Sequence, residues 1–251
     1  MALGAFAGLV ASGFALVTAD RWHRRRLTHH GAWTIAMVLF AIGSFALWWA
    51  SSAGWSDGVF RVFFTAGAVL NVSWLALGSI ALLAGDRIAL PLARVVALLS
   101  AFAIGVMAVA PTKNDFVAEE FPQARDHFGA LPRILAAVGS GVPALVILAG
   151  AVWSIVRLIT RKSPAVYESR KKPLISTKRL VASNVLIACG TVILSASGSL
   201  AGRLGEEQAF AVTLSVGVVV LFVGFMVPSV KRGGNSSAQS ASQHLAGAAG
   251  R

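Results

Sequence analysis

Long apolar stretches separated by short basic clusters are the feature of this 251-residue chain that most restricts its fold. Apolar residues make up 56% of the sequence and charged residues 13%, which is not the composition of a soluble protein. A helix needs about 20 apolar residues to cross the hydrocarbon core of a bilayer. Seven stretches reach or approach that length, at residues 2–19, 32–52, 59–84, 88–110, 131–157, 180–201 and 208–229. We therefore predict an all-α, polytopic transmembrane bundle of seven spans.

The first predicted span is short, and its position at the N-terminus raises the alternative of a signal peptide. A signal peptide carries its positive residues before the apolar run. Here none precedes the run, and four arginines between Arg21 and Arg26 follow it. We therefore expect residues 2–19 to form a helix of the bundle.

The charges between the predicted spans indicate their orientation. If the spans alternate and residues 20–31 are cytoplasmic, that side holds 17 of the 22 Lys and Arg residues and three of the ten acidic residues. Cytoplasmic loops carry such an excess of Lys and Arg. We expect the N-terminus outside and the C-terminus in the cytoplasm. Arginine outnumbers lysine 16 to 6, which is typical of a GC-rich bacterial genome and places the chain in the cytoplasmic (inner) membrane of a bacterium.

The basic clusters predict contacts with lipid. A net charge of +12 would suggest a nucleic-acid partner in a soluble protein, but here the charges lie in the turns between apolar stretches. Basic residues at the cytoplasmic leaflet attract anionic head groups by about 1 kcal/mol each. We predict such contacts, and no nucleic-acid partner, for two clusters: Arg24, Arg25, Arg26, Arg170, Lys171 and Lys172.

Three histidines in the first cluster, His23, His29 and His30, are candidates for metal ligands. His29 and His30 are adjacent and cannot both face one site on a regular helix, and no cysteine lies nearby at ligand spacing. We therefore predict neither a metal site nor another cofactor.

Three segments lie outside the predicted spans of the transmembrane domain, residues 1–229. Residues 111–130 form an external loop, residues 158–179 a basic cytoplasmic loop, and residues 230–251 a disordered cytoplasmic tail. In the external loop we expect a short helix on the outer surface, which serves either as a ligand or partner site or as a structured connection. Aromatic residues at this side are expected at the membrane interface: Phe116, Phe121, Phe128, Trp48, Trp49 and Trp55.

Two pairs of peptides suggest an internal repeat. VLFAIGS, from Val38 to Ser44, resembles VLIACGT, from Val185 to Thr191, at an offset of 147 residues. FRVFFTAGAV, from Phe60, resembles FAVTLSVGVV, which begins 150 residues later. The second and third spans would then correspond to the sixth and seventh, in two three-helix halves joined by the fourth span, a 3+1+3 arrangement.

This layout resembles that of the sugar-transporting SWEET and PQ-loop proteins. The resemblance implies a permease built from two three-helix halves. It concerns the layout alone, because those families carry a proline or a Pro-Gln pair in the first helix of each half. Here the first span has no proline, Pro143 stands alone in the fifth, and the pair Pro122-Gln123 lies in the external loop.

Ionisable residues are missing from the middle of the predicted spans. A proton-coupled pump needs an intramembrane carboxylate, and seven-helix zinc hydrolases and haem proteins need intramembrane histidines. A microbial rhodopsin needs a lysine in its last helix, and residues 208–229 contain none. Arg94 lies close enough to the cytoplasmic interface for its side chain to reach it.

The polar residues that remain at depth allow two interpretations. They line a cavity for a small uncharged ligand, or they form hydrogen bonds between helices, each contributing about 0.6 kcal/mol. The candidates for ligand binding are Asn71, Ser73, Trp74, Asn184, Thr191 and Ser195. Gly4 with Gly8, and Gly198 with Gly202, are spaced for close helix packing or dimerisation.

We expect a non-enzymatic accessory, scaffold or signalling component that acts through a membrane-protein partner or as a homodimer. The alternative is a small permease for an uncharged solute. An intramembrane enzyme is disfavoured, because no nucleophile, base and orienting group can be assembled from these residues.

Overall fold

The computed structural model describes residues 2–160, 182–183, 185–194 and 207–226, and these residues are helical apart from short turns and one longer segment. The predicted all-α class is confirmed. The uninterrupted helices are α1 (Ala2–Arg25), α2 (Thr28–Ala53), α4 (Asp86–Val109), α6 (Val185–Leu194) and α7 (Glu207–Met226). Two further helices, α3 and α5, each contain a π-helical section.

The π-helical sections of α3 and α5 lie against each other. Helix α3 consists of Asp57–Phe63, the π-helical Phe64–Leu70 and Asn71–Ala84. Helix α5 consists of Ala130–Ala136, the π-helical Ala137–Gly141 and Val142–Thr160. A Cβ atom on Gly139 would collide with the carbonyl oxygen of Val69, so the two backbones touch where both helices widen.

Within the described residues, six helices are long and apolar enough to cross a membrane: α1, α2, α3, α4, α5 and α7. They correspond to six of the seven predicted spans. The sixth prediction, residues 180–201, lies only in part within the described residues. The basic loop beyond residue 160 and the tail 230–251 lie outside them.

The boundary between the first two helices differs from the prediction. We expected residues 20–31 to separate two spans, but α1 continues through Arg25 and α2 begins at Thr28. Only Arg26 and Leu27 lie between them, and Arg26 has a left-handed backbone with φ of 53°. Apolar length predicts where a helix leaves the hydrocarbon, whereas the helix itself continues into the polar region.

Glycines set the distances between the packed helices. The Cβ position of Gly4 on α1 lies 3.1 Å from the backbone nitrogen of Trp48 on α2, and that of Gly8 lies 2.9 Å from the ring of Phe45. This G-x-x-x-G pair therefore packs within the chain. The predicted second pair, Gly198 and Gly202, lies outside the described residues.

At two further helix crossings, a glycine of one helix lies against the backbone of a glycine on the next. At the crossing of α2 and α3, the Cβ position of Gly43 lies 3.3 Å from the backbone nitrogen of Gly67. At the crossing of α6 and α7, the Cβ position of Gly190 lies 3.1 Å from the carbonyl oxygen of Gly217. Small residues let helix backbones approach closely where lipid supplies no hydrophobic driving force.

Helices α4 and α5 lie at the periphery of the described bundle. In the most apolar part of each of them, 11% of the residues are buried, against 39% in α1 and α7 and 50% in α2 and α3. The central core joins α1, α2, α3, α5 and α7, and includes Phe14, Met37, Leu75, Ile147 and Leu221.

Residues 110–129, which we call the cap, fold over one end of the bundle. Thr112 pairs with Phe128 in an antiparallel bridge, and the side-chain amide of Asn114 donates to the carbonyl of Asp126 at 2.7 Å. The backbone nitrogen of Trp55, after α2, donates to the carbonyl of Ala118 at 3.0 Å. The cap is therefore attached to the helix ends by hydrogen bonds.

The aromatic residues of the cap pack on the protein, which corrects the prediction that they lie at the membrane interface. Phe128 is 0% exposed, and its ring stacks on that of Phe60 with centroids 5.3 Å apart. Phe116 and Phe121 pack against the same cluster. Trp55 is also buried, at 4% exposure, whereas Trp48 and Trp49 are exposed. The only α-helix in the cap is Ala124–His127.

Arg61 joins the cap to the ends of two helices. Its Nε donates to Asp57 at 2.7 Å, and its two terminal nitrogens donate to the carbonyls of Met107 and Ala110 at 2.6 and 2.7 Å. The guanidinium also lies over the ring of Phe128, 5.6 Å from its centroid. Because the last carbonyls of a helix lack partners within it, Arg61 acts as the C-terminal cap of α4.

Replacing Arg61 is expected to destabilise the chain. Arg61→Ala leaves Asp57 and two carbonyls without their donor, and should lower the free energy of unfolding by about 2 kcal/mol. Arg61→Lys keeps the charge but not the forked geometry of the donor. Its free energy of unfolding should therefore lie between those of the parent and Arg61→Ala. Thermal unfolding in detergent measures both variants. The control is Arg125→Ala, since the Arg125 side chain is 64% exposed. Equal stability of Arg61→Ala and the control would contradict this role.

Candidate functional site

Ser73 and Trp74, two of the predicted polar residues, bind two different neighbouring helices. The Ser73 hydroxyl donates to the carbonyl of Gly139 on α5 at 2.8 Å. The indole nitrogen of Trp74 donates to the hydroxyl of Ser100 on α4 at 3.1 Å. Successive residues of a helix point about 100° apart, so adjacent side chains reach different neighbours. These two bonds attach the peripheral helices α4 and α5 to α3.

Among the predicted ligand residues that the structure describes, Asn71 is the one whose hydrogen bonding is incomplete. It directly follows the π-helical section of α3, is 6% exposed, and its Oδ1 atom is buried without a hydrogen-bond partner. A buried polar atom left unpaired costs about 1–3 kcal/mol. Asn71 is therefore either a tolerated cost of the fold or a group that receives a ligand.

The remaining predicted ligand residues do not form a site with Asn71 in the described part of the chain. Thr191 is buried, but its hydroxyl donates to the carbonyl of Ile187 on its own helix at 2.8 Å. Asn184 and Ser195 lie outside the described residues. In the described part of the chain, no hydrogen bond joins any two of Asn71, Ser73, Trp74 and Thr191.

Sequence reasoning missed the partners of Ser73 and Trp74. Ser100 could have been noticed as a hydroxyl within the fourth span. The carbonyl of Gly139 has no sequence signal, because any residue provides one.

The basic cluster at the end of α1 is partly paired within the chain. Arg24 forms an ion pair with Asp20 at 2.8 Å, and both side chains are more than half exposed. The guanidinium of Arg26 lies 5.7 Å from the ring centroid of Trp22, and Arg25 is exposed. Arg170, Lys171 and Lys172 lie outside the described residues.

The neighbouring histidines form an aromatic group with Trp33. The rings of His29 and His30 are 4.2 Å apart, and that of His29 is 5.2 Å from Trp33. His30 is buried, and Trp33 lies against Phe225 of α7 at 4.4 Å. These rings close the end of the bundle opposite the cap.

No protein-family model, curated protein or solved structure matches this chain. Its class therefore follows from its six span-length helices, which are those of a multi-pass membrane protein.

Asn71 and Ser73 are expected to respond to substitution in opposite directions. Asn71→Leu keeps the branched heavy-atom shape of the side chain, removes the unpaired amide, and should raise the free energy of unfolding by about 1 kcal/mol. Ser73→Ala removes the bond to Gly139 and should lower it by about 0.6 kcal/mol. Thermal unfolding of the purified chain checks both.

The control is Ser79→Ala, because Ser79 bonds only to Leu75 on its own helix. If Asn71→Leu proves less stable than the parent, Oδ1 has a partner in the purified protein, and the tolerated-cost interpretation is wrong.

Proposed function

We propose that this chain crosses the inner membrane of a bacterium seven times, with its N-terminus outside and its C-terminus in the cytoplasm. The excess of Lys and Arg in alternate connections supports this orientation. It places the cap outside and the end of α1 at the cytoplasmic leaflet. There the basic clusters contact anionic head groups through Arg24, Arg25, Arg26, Arg170, Lys171 and Lys172.

We propose also that α2 with α3 and α6 with α7 are two copies of one helical hairpin. Gly43 and Gly190 are matched in the sequence alignment, as are Gly67 and Gly217. The support is that both matched pairs lie at a helix crossing. Ser44 and Thr191, the next matched residues, are both buried. If the hairpins are copies, α6 crosses the membrane as α2 does.

Single cysteines test this topology in a Cys189→Ala background, since Cys189 is the one cysteine of the sequence. Glu119→Cys and Glu206→Cys should react with an impermeant maleimide added to intact spheroplasts. Ala165→Cys should react only after permeabilisation. Reaction of Ala165→Cys and Glu119→Cys from the same side would refute the crossing by α5, and protection of Glu206→Cys would refute the crossing by α6.

For function, we propose a non-enzymatic accessory or scaffold component that acts through a membrane-protein partner. The observation that carries this proposal is the low burial of α4 and α5, of which 11% is covered, although each is a full-length span. Ser73 and Trp74, which a substrate path would need free, are engaged in bonds that hold these helices. The chain thus presents two spans outward while its polar groups at depth serve packing.

The alternative is a small permease for an uncharged solute. One observation favours it, the unpartnered Oδ1 of Asn71 in the bundle interior.

Gentle extraction of the tagged, full-length chain from native membranes tests the partner proposal. We expect one membrane protein in a fixed ratio to the chain, in two unrelated detergents and after size separation. An unrelated tagged multi-pass protein is the control for nonspecific capture. A chain that migrates alone in both detergents would contradict the proposal.

A further inference from the structure

Arg94 is a charged residue on the outer surface of a span. It lies roughly 12 Å along the axis from Asp86, the first residue of α4, and is exposed. Within the described part of the chain, nothing forms a hydrogen bond or ion pair with it. The Arg94 side chain can extend to the cytoplasmic interface. A helix packed on this face would still lie beside it, and ionisable residues within spans usually pair with another group.

The surface beyond Arg94 is lined by small residues. At 100° per residue, Ala101 and Gly105 lie within about 20° of Arg94 on the helical wheel, and Leu98 lies within about 40°. All four residues are exposed. A Cβ atom on Gly105 would meet nothing within 4 Å, whereas one on Gly4 would meet the backbone of α2. The small-residue face of α1 is therefore covered by α2, whereas the small-residue face of α4 is not covered within the described part of the chain.

We propose that the α4 face formed by Arg94, Leu98, Ala101 and Gly105 binds a transmembrane helix of a different protein, which carries an Asp or Glu at the depth of Arg94. This inference rests on the proposed function and names its site. The small residues let the partner backbone approach, and the carboxylate neutralises the guanidinium in a medium of low dielectric constant.

Charge decides between this occupant and a second copy of the chain. Two copies inserted in the same orientation are related by an axis along the membrane normal, so equivalent residues meet at equal depth. A symmetric dimer through this face would bring Arg94 against Arg94, and like charges repel. A lipid phosphate could also neutralise Arg94. Its binding would not involve the small residues Ala101 and Gly105 deeper in the span, whereas close packing of a partner helix would.

A photo-crosslinking amino acid in place of Leu98, in the full-length chain in native membranes, tests the site. Leu16 on α1 is the matched control position, because both side chains are 72% exposed. We expect an adduct with one membrane protein from position 98 and none from position 16. The crosslinked peptide should be an apolar stretch that contains Asp or Glu.

Substitutions then test the contacts. Arg94→Gln should lower the adduct yield about tenfold, and Arg94→Lys should retain most of it. Gly105→Leu should lower the yield similarly, while Gly13→Leu should not, since a Cβ atom on Gly13 also meets nothing within 4 Å. Arg94→Asp combined with replacement of the partner's carboxylate by Arg should restore the adduct.

Three results would overturn the inference: adducts with lipid alone, an adduct with a second copy of this chain, or a yield that Arg94→Gln leaves unchanged. If a partner still co-purifies in any of these cases, the proposed function survives and only the α4 site fails. If no partner co-purifies and position 98 captures none, both fail.

Discussion

Backbone hydrogen bonding in the absence of water is the constraint on which this structure depends. In hydrocarbon every N–H and C=O must find a partner within the protein, and a chain of apolar stretches satisfies them as helices. Once the helices form, lipid is as apolar as their side chains, so there is no hydrophobic driving force for helix association. The association of the helices depends instead on the close approach of their backbones. The glycines at the crossings provide it, because a Cβ atom there would lie within 3.3 Å of a neighbouring backbone or ring: Gly4, Gly8, Gly43, Gly139 and Gly190.

The class of the fold could be predicted from the sequence because span length follows from bilayer thickness. Helix ends could not, because a helix does not stop where the hydrocarbon does, and α1 continues through four of its basic-cluster residues to Arg25. Trp55 and Phe128 were misplaced for a related reason. An aromatic residue near the interface packs equally well on lipid or on protein, and only the fold of the cap decides between them. The π-helical sections had no predictable pattern, since they arise where α3 meets α5.

The polar residues at depth could be identified from the sequence, but the bonds that they form could not. Asn71, Ser73 and Trp74 are recognisable as polar residues in an apolar stretch. Which neighbour each one reaches depends on helix rotation, and the π-helical section directly before Asn71 changes that rotation. Arg61 shows the same limit: in the sequence it is a single external charge, whereas in the structure it binds three acceptors, on α3, on α4 and in the cap.

Fixing the carbonyl end of α4 through Arg61 has a consequence for membranes of different thickness. Helix α4 has 24 residues, so it is about 36 Å long, against a hydrocarbon core of about 30 Å. A span that exceeds the core adapts by tilting or by shifting its polar flanks. With one end held by Arg61, the adjustment falls on the opposite end, and a thicker or thinner bilayer changes how deep Arg94 sits. Hydrophobic mismatch would therefore alter the environment of Arg94 while leaving the cap in place.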